Sequence, residues 1–106
     1  MTGKKITKYD LVSAVYSKTD CEKKVVQQVV DSLLGQLKEV LLDGSTIELR
    51  GFGTFELRLR KGRSKARNPK TGESVKVEPH YSVSFRPGKE LKKSISEIPV
   101  SENLKN

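Results

Sequence analysis

One segment, residues 58–70, carries almost the whole charge excess of the chain. It contains seven basic side chains and no acidic one, namely Arg58, Arg60, Lys61, Arg63, Lys65, Arg67 and Lys70. The formal net charge of the chain is +8, so the other 93 residues, with 14 basic and 13 acidic side chains, carry only +1. A solvated surface would scatter its charges. The concentration therefore favours a polyanionic partner, either nucleic acid or an anionic membrane surface.

Alternating apolar and polar residues flank this basic segment on both sides. Phe55, Leu57 and Leu59 alternate with polar side chains before it, and alternation resumes over residues 74–78 and 81–85. The segment ends in Asn68-Pro-Lys-Thr-Gly72, where Asn-Pro and Thr-Gly favour turns. The pattern predicts a β-hairpin arm over about residues 58–76. A tip this polar has no core to fold against, so we expect it to project into solvent.

Helical periodicity appears outside the strand region. Thr7 followed by Asp10 predicts the N-cap of a helix over about residues 8–18. A second helix, over about residues 22–42, has an apolar stripe wider than one small sheet requires: Val25, Val26, Val29, Val30, Leu33, Leu34, Leu37, Val40 and Leu41. We expect an α+β fold with a helical base and a three-stranded antiparallel sheet whose long β-hairpin forms the arm. A dimer would cover the stripe.

Composition narrows the class of protein to which the chain can belong. Only 34% of the 106 residues are hydrophobic, so one chain buries a modest core at best. Cys21 is the only cysteine, which leaves no intramolecular disulfide and fits a reducing compartment. No apolar run approaches the length of a membrane span, and the basic residues share no helix with an apolar face. We expect a soluble, cytoplasmic protein that does not bind membranes.

An enzyme is the first competing interpretation. The single histidine, His80, and the single cysteine, Cys21, lie far apart in the sequence. There is no zinc-ligand spacing, phosphate-binding loop or nucleophile motif. His80 follows Pro79 at an expected strand bend and is interpreted as structural, and Cys21 as a small residue near a helix cap. The sequence therefore predicts no enzyme, no cofactor and no metal site.

An RNA-binding protein is the second competing interpretation, because basic hairpins also bind RNA. Sequence-specific RNA readers usually carry stacking aromatic residues on the binding sheet. The expected arm has no aromatic residue, and Tyr81 and the three phenylalanines are assigned to the core. This favours double-stranded DNA, bound through shape and charge, with RNA as a secondary partner.

Residue types within the expected arm suggest its contacts. Arg58 and Arg60 lie two apart on one strand and therefore point the same way, and Lys76 on the return strand is expected to join them. Pro69 at the tip is apolar, rigid and lacks an N–H. It suits a wedge that inserts between base pairs and kinks the duplex, although composition alone favours a residue that only sets the turn.

Three motifs resemble those of the bacterial HU and integration host factor family, in the family's order: Gly51-Phe-Gly-Thr-Phe55, Arg67-Asn-Pro-Lys-Thr-Gly72 and Phe85-Arg-Pro-Gly-Lys89. The opening Thr7-Lys-Tyr-Asp-Leu11 also matches the family's first helix. The resemblance implies an intertwined dimer, either a homodimer or a heterodimer with a related chain, whose two β-arms embrace DNA through the minor groove. The implied function is bending and compaction of nucleoid DNA with low sequence specificity.

The same resemblance sets boundaries and assigns roles. It covers about residues 5–98 and implies one DNA-binding domain over residues 1–98. The tail at 99–106 has no counterpart in the family and is expected to be flexible, because Pro99 ends the last helix. Pro69 matches the family's intercalating proline, Arg67 and Asn68 match residues that enter the minor groove beside it, and Lys89 matches a lysine that holds flanking DNA. The candidate DNA-binding residues are Arg50, Arg58, Arg60, Lys61, Arg63, Lys65, Arg67, Asn68, Pro69, Lys70, Lys76, Arg86 and Lys89.

The chain departs from the family pattern inside the arm. The stretch from Phe55 to Pro69 is one residue longer than in a typical member, which requires a change of facing or a bulge. Gly62 is the expected bulge site, and the roles of residues 61–66 stay open. Residues 47–50 and 85–91 look closer to integration host factor, which prefers particular sequences, and Arg50 matches a residue that supports this preference. A sequence-preferring bender is therefore the alternative function.

Overall fold

The computed structural model describes residues 3–100, apart from the side chains of Lys65 and Ala66. The predicted α+β class is confirmed. The chain divides into two compact units, one ending at Glu39 and including the segment from Glu97, the other spanning Val40–Ser96. The elements are α1 (Lys8–Ser17), α2 (Lys23–Leu42), β1 (Ile47–Leu49), β2 (Gly53–Arg60), β3 (Arg63–Arg67), β4 (Ser74–Val77), β5 (His80–Pro87) and α3 (Lys89–Ser96).

None of the helices formed by residues 3–100 combines the length and apolar character needed to cross a membrane. Most of the predicted tail at 99–106, from residue 101 onward, lies outside the described residues.

The start of α1 follows from a reciprocal cap. The hydroxyl of Thr7 accepts a hydrogen bond from the backbone N–H of Asp10 at 3.3 Å, and the Asp10 carboxylate accepts one from the backbone N–H of Thr7 at 2.9 Å. Two of the orphan backbone donors at the helix end are thereby satisfied, as the sequence predicted. An ion pair of 2.8 Å between Lys8 and Asp31 connects the first turn of α1 with the middle of α2.

The cap makes stability depend on pH. Hydrogen bonds from the backbone and then the hydroxyl of Thr7 hold the pKa of Asp10 below its ordinary value. A lowered folded-state pKa means that the contribution is fully present above the ordinary carboxyl pKa of about 3.9 and is lost as pH falls through the lowered value. We expect Asp10→Asn to be less stable than the wild type near neutral pH, with the difference vanishing in acid. Thermal unfolding midpoints between about pH 7 and pH 2.5 measure this. Asp20→Asn, at an acid with no cap, is the control, and an equal gap at every pH would contradict the assignment.

The strands form a three-stranded antiparallel sheet in the order β1-β2-β5. Phe55 pairs with Ile47 on one side and with Phe85 on the other. Since directly opposed residues share a face, the apolar residues of β2 and β5 lie on one face and the polar residues on the other. The ring centroids of Phe55 and Phe85 lie 4.7 Å apart, and those of Phe52 and Phe85 lie 5.3 Å apart.

Few apolar side chains are buried within a single chain. The buried hydrophobic residues of the described part are Val12, Val26 and Ile47. Leu33 on α2 remains 54% exposed, and Phe85 on β5 remains 40% exposed. This is more than the scattered apolar exposure usual on monomer surfaces. Residues 3–100 therefore leave the apolar stripe of α2 only partly covered. An uncovered stripe on this helix is the feature from which the sequence analysis predicted a dimer.

Candidate nucleic-acid interface

A separate two-stranded sheet forms the arm. Strands β3 and β4 pair only with each other, over Arg63–Arg67 and Ser74–Val77. Between this arm and the three-stranded sheet both strands are interrupted, at residues 61–62 on one side and at 78–79 on the other. Pro79 lies in the interruption, as its sequence position predicted. The two-stranded arm thus begins at Arg63 rather than near residue 58, and Arg58 and Arg60 belong to β2 of the larger sheet.

The extra residue of the arm lies nearer its tip than the sequence predicted. Arg60 pairs with His80 and Arg63 pairs with Val77, so each strand has two residues in the interruption and the register is preserved past Gly62. The shift comes between Arg63 and Ala66, where residues 64 and 65 of β3 lie opposite the single residue Lys76 of β4. The expectation of a bulge at Gly62 is therefore wrong: the bulge involves residues 64–65.

Glycine occupies position 62 for a different structural reason. A Cβ atom built there would overlap the backbone carbonyl oxygen of Val77 and the ring of Pro79. Glycine is needed because the opposite strand approaches closely. An isolated glycine in a strand pattern indicates either such an approach or a bulge. Sequence alone could not separate close approach from a bulge, because the distinction depends on pairing with residues 77–80.

The tip is closed by hydrogen bonds from its own residues. The backbone carbonyl of Asn68 accepts from the N–H of Gly72 at 2.7 Å, and its side-chain Oδ1 accepts from the N–H of Lys70 at 2.9 Å. The N–H of Asn68 donates to the carbonyl of Glu73 at 2.8 Å. Pro69 is exposed between these bonds and takes part in none of them. Within the part of the chain that the structure describes, the amide NH₂ of Asn68, with its two donors, forms no hydrogen bond.

Arginine side chains crowd the polar face of the three-stranded sheet. Glu56 Oε1 lies 3.3 Å from the guanidinium of Arg58 and 3.2 Å from that of Arg86. Arg60 Nε donates to Ser82 Oγ at 2.9 Å. Glu56 is a member of this surface that the sequence interpretation missed. Its position two residues before Arg58 on the same strand was the available signal, since such residues share a face.

The other candidates occupy several parts of the Val40–Ser96 unit. Arg50 is exposed in the turn between β1 and β2, where Gly51 takes a φ of +84°. Lys89 is the first residue of α3. Lys76 lies on β4 and forms an exposed ion pair of 3.3 Å with Glu78. Its joining Arg58 and Arg60 on one surface stays a prediction. The remaining candidates are the exposed residues Lys61, Arg63, Arg67 and Lys70, together with Lys65, whose side chain lies outside the described part.

Comparisons with known proteins match this architecture along nearly the whole chain. The profile of the family described as Bacterial DNA-binding protein matches residues 6–96. A DNA-binding protein HU from Thermus thermophilus is 44% identical over 96 residues, covering 90% of this chain and 98% of that protein. Integration host factor subunit alpha from Aliivibrio salmonicida is 34% identical over 97 residues, with coverages of 92% and 98%. An HU–DNA cocrystal structure from Anabaena has a TM-score of 0.77 and 33% sequence identity, covering 88% of this chain and all of that one.

Proposed function

The chain belongs to the bacterial DNA-binding protein family and resembles HU and integration host factor along nearly all of its length, and from this premise we propose that it bends and compacts double-stranded DNA with HU-like, low sequence specificity. It acts as a dimer, most simply a homodimer, on the nucleoid in the cytoplasm. Structured RNA is a secondary partner.

The observation that carries this proposal is the construction of the arm. A narrow ribbon with basic side chains ends in an exposed Pro69 whose neighbours close the tip without it. A two-stranded ribbon fits a DNA groove, and cationic side chains along it contact the phosphates of the groove walls. The similar HU chain from Anabaena is described in complex with DNA. We place the arm in the minor groove, as the resemblance to HU and integration host factor implies.

The mechanism assigns separate tasks to the tip and to the body. Arg67 and the free amide donors of Asn68 face the minor groove, where every base pair presents acceptor atoms. Pro69 unstacks one base step per arm at a cost of a few kcal/mol. Wrapping the flanking DNA onto Lys89 and neighbouring basic residues offsets that cost. DNA that is already kinked or easily kinked therefore binds best.

The dimer is supported by apolar exposure. Leu33 and its neighbours on α2, and the half-exposed cluster of Phe52 and Phe85, have no complete cover within one chain. A second copy of the same chain supplies a matching apolar surface, so the homodimer needs no further component. A heterodimer with a related chain is the alternative assembly.

Affinities for linear duplex, nicked duplex and a set of defined sequences, each at two salt concentrations, test the function. We expect a strong preference for nicked DNA, little discrimination among sequences, and a log–log salt slope of about 0.9 per phosphate neutralised. Arg67→Ala should weaken binding to all duplexes alike, whereas Lys24→Ala, an equal loss of charge on α2, should have little effect. Equal losses in both variants would contradict a role for the arm.

The same affinity measurements distinguish the proposed function from the alternative, a bender that prefers a particular sequence. One linear sequence bound far more tightly than all others, even at high salt, would indicate an integration-host-factor-like bender. Arg50→Ala would then abolish that preference, because Arg50 lies in the exposed turn that the resemblance links to it.

A further inference from the structure

The interruption between the two sheets creates an open concavity at the base of the arm. Its volume is about 610 Å³, and its lining residues are Arg60, Lys61, Gly62, Arg63, Val77 and His80. Three of these side chains are permanent cations at neutral pH. A concave surface lined by several cations favours an anion over a neutral ligand. A phosphate is such an anion, and its oxygens accept several hydrogen bonds.

His80 completes the polar side of this basal concavity. It pairs directly with Arg60 in the antiparallel register, so the two side chains lie on the same face of the sheet. The sequence contains no other histidine. The His80 side chain is exposed, and its Nδ1 lies 3.0 Å from the backbone carbonyl oxygen of Glu78. The interpretation of His80 as a structural residue accounts for that contact but assigns no role to Nε2.

The contact with Glu78 selects one tautomer. A carbonyl oxygen only accepts hydrogen bonds, so Nδ1 must carry the proton. In the neutral ring Nε2 is then an acceptor, which repels a phosphate oxygen. Protonation turns Nε2 into a charged donor while the Nδ1 bond to Glu78 stays in place. His80 therefore changes from a group that opposes an anion to one that binds it, without a change of conformation.

We propose that the basal concavity binds a backbone phosphate of duplex DNA and that His80 becomes protonated as this phosphate binds. The proposal rests on the proposed function and adds a proton-coupled contact to it. The phosphodiester remains anionic throughout the range in which histidine changes charge. Bound phosphate favours the charged ring, so by linkage DNA affinity falls as pH rises.

The surrounding charges support this assignment. Arg60 comes from β2, Lys61 from the interruption and Arg63 from β3, and each faces the concavity. The nearest acid on the segment of His80 is Glu78, whose carboxylate is engaged by Lys76 at 3.3 Å. A phosphate is thus the anion that satisfies the lining cations together.

The test is the pH dependence of duplex affinity at constant ionic strength, from about pH 5.5 to about pH 8. We expect wild-type affinity to fall on the order of tenfold across this range, which corresponds to the loss of one charge-assisted contact. His80→Gln should show weak, nearly pH-independent affinity. His80→Lys, a permanent cation, should keep the higher affinity up to pH 8. Unfolding midpoints of both variants establish that they are folded.

Calorimetry in two buffers of different ionisation enthalpy supplies the direct readout. Wild-type binding should take up protons near pH 7, and binding by either variant should take up none. An identical pH slope in the wild type and His80→Gln, or wild-type binding without proton uptake, would overturn the inference while leaving duplex binding intact. A wild-type chain that fails to bind duplex at any pH would instead overturn the proposed function.

Discussion

Replacing Pro69 by alanine is expected to remove most of the DNA bend while leaving duplex affinity within a few-fold of the wild-type value. The cationic contacts of the arm do not involve Pro69, and they supply most of the sequence-independent affinity. A wedge residue unstacks its base step and kinks the duplex by roughly 20–90°. Without the wedge both the kink and its cost disappear, so bending changes far more than affinity.

The turn at the tip should keep its shape in Pro69→Ala, so a change in bending would report the loss of the wedge. Gly72, Lys70 and Glu73 hold the turn through bonds to Asn68, and alanine adopts the same backbone conformation as proline. End-to-end energy transfer on a doubly labelled duplex measures the bend. Pro69→Leu retains an apolar wedge and should restore part of it, whereas Pro99→Ala, outside the arm, should bend DNA like the wild type. An unchanged bend in Pro69→Ala would show that Pro69 only sets the turn.

The second large effect is expected from Leu33→Glu on α2. Leu33 is 54% exposed in the single chain, and a substitution at such a surface position ordinarily changes stability by about 0.5 kcal/mol or less. In the proposed dimer the same side chain is buried against the partner subunit, so the glutamate places an unpaired charge in an apolar interface. The penalty is several kcal/mol, enough to dissociate the dimer at micromolar concentration and to reduce DNA affinity by orders of magnitude.

Sedimentation equilibrium and duplex affinity measure this outcome together. Gln28→Glu introduces the same side chain on the opposite side of α2 and serves as the matched control, with no expected change in mass or affinity. A Leu33→Glu chain that sediments and binds like the wild type would exclude this face of α2 from the dimer interface.

Local chemistry made much of the fold predictable. The Thr7–Asp10 cap and the apolar period of α2 depend on residues within a few positions of one another, and the helix limits agree within one or two residues. The alternation in β2 likewise depends only on neighbouring residues. The register shift at residues 64–65 was not predictable, because it exists only relative to Val75 and Val77 on the returning strand. The sequence analysis placed the bulge at Gly62 because glycine is common in bulges. In the structure this glycine instead allows the backbone of the opposite strand to approach closely.

The candidate site was predictable in composition but not in pairing. The density of basic residues indicated the candidate DNA-binding segment, and the motif around Pro69 indicated the turn at its tip. Ion pairs between strands require the register, so the link from Glu56 to Arg86 was invisible in the sequence. The same holds for the pairing of Arg60 with His80, which turned a residue interpreted as structural into a member of a charged concavity.

The interruption between the two sheets separates the stability of the arm from that of the body. Opening β3 and β4 breaks only their own ladder and exposes little new apolar surface, since Val75 is already 40% exposed. We therefore expect amide hydrogens of the arm to exchange with solvent through local opening, and those of β2 and β5 through larger unfolding events. We also expect substitutions within β3, β4 and the tip to change DNA affinity while leaving the melting temperature of the three-stranded sheet and the helices almost unchanged. The affinity of the arm for DNA and the thermal stability of the rest of the chain can therefore change independently among related chains.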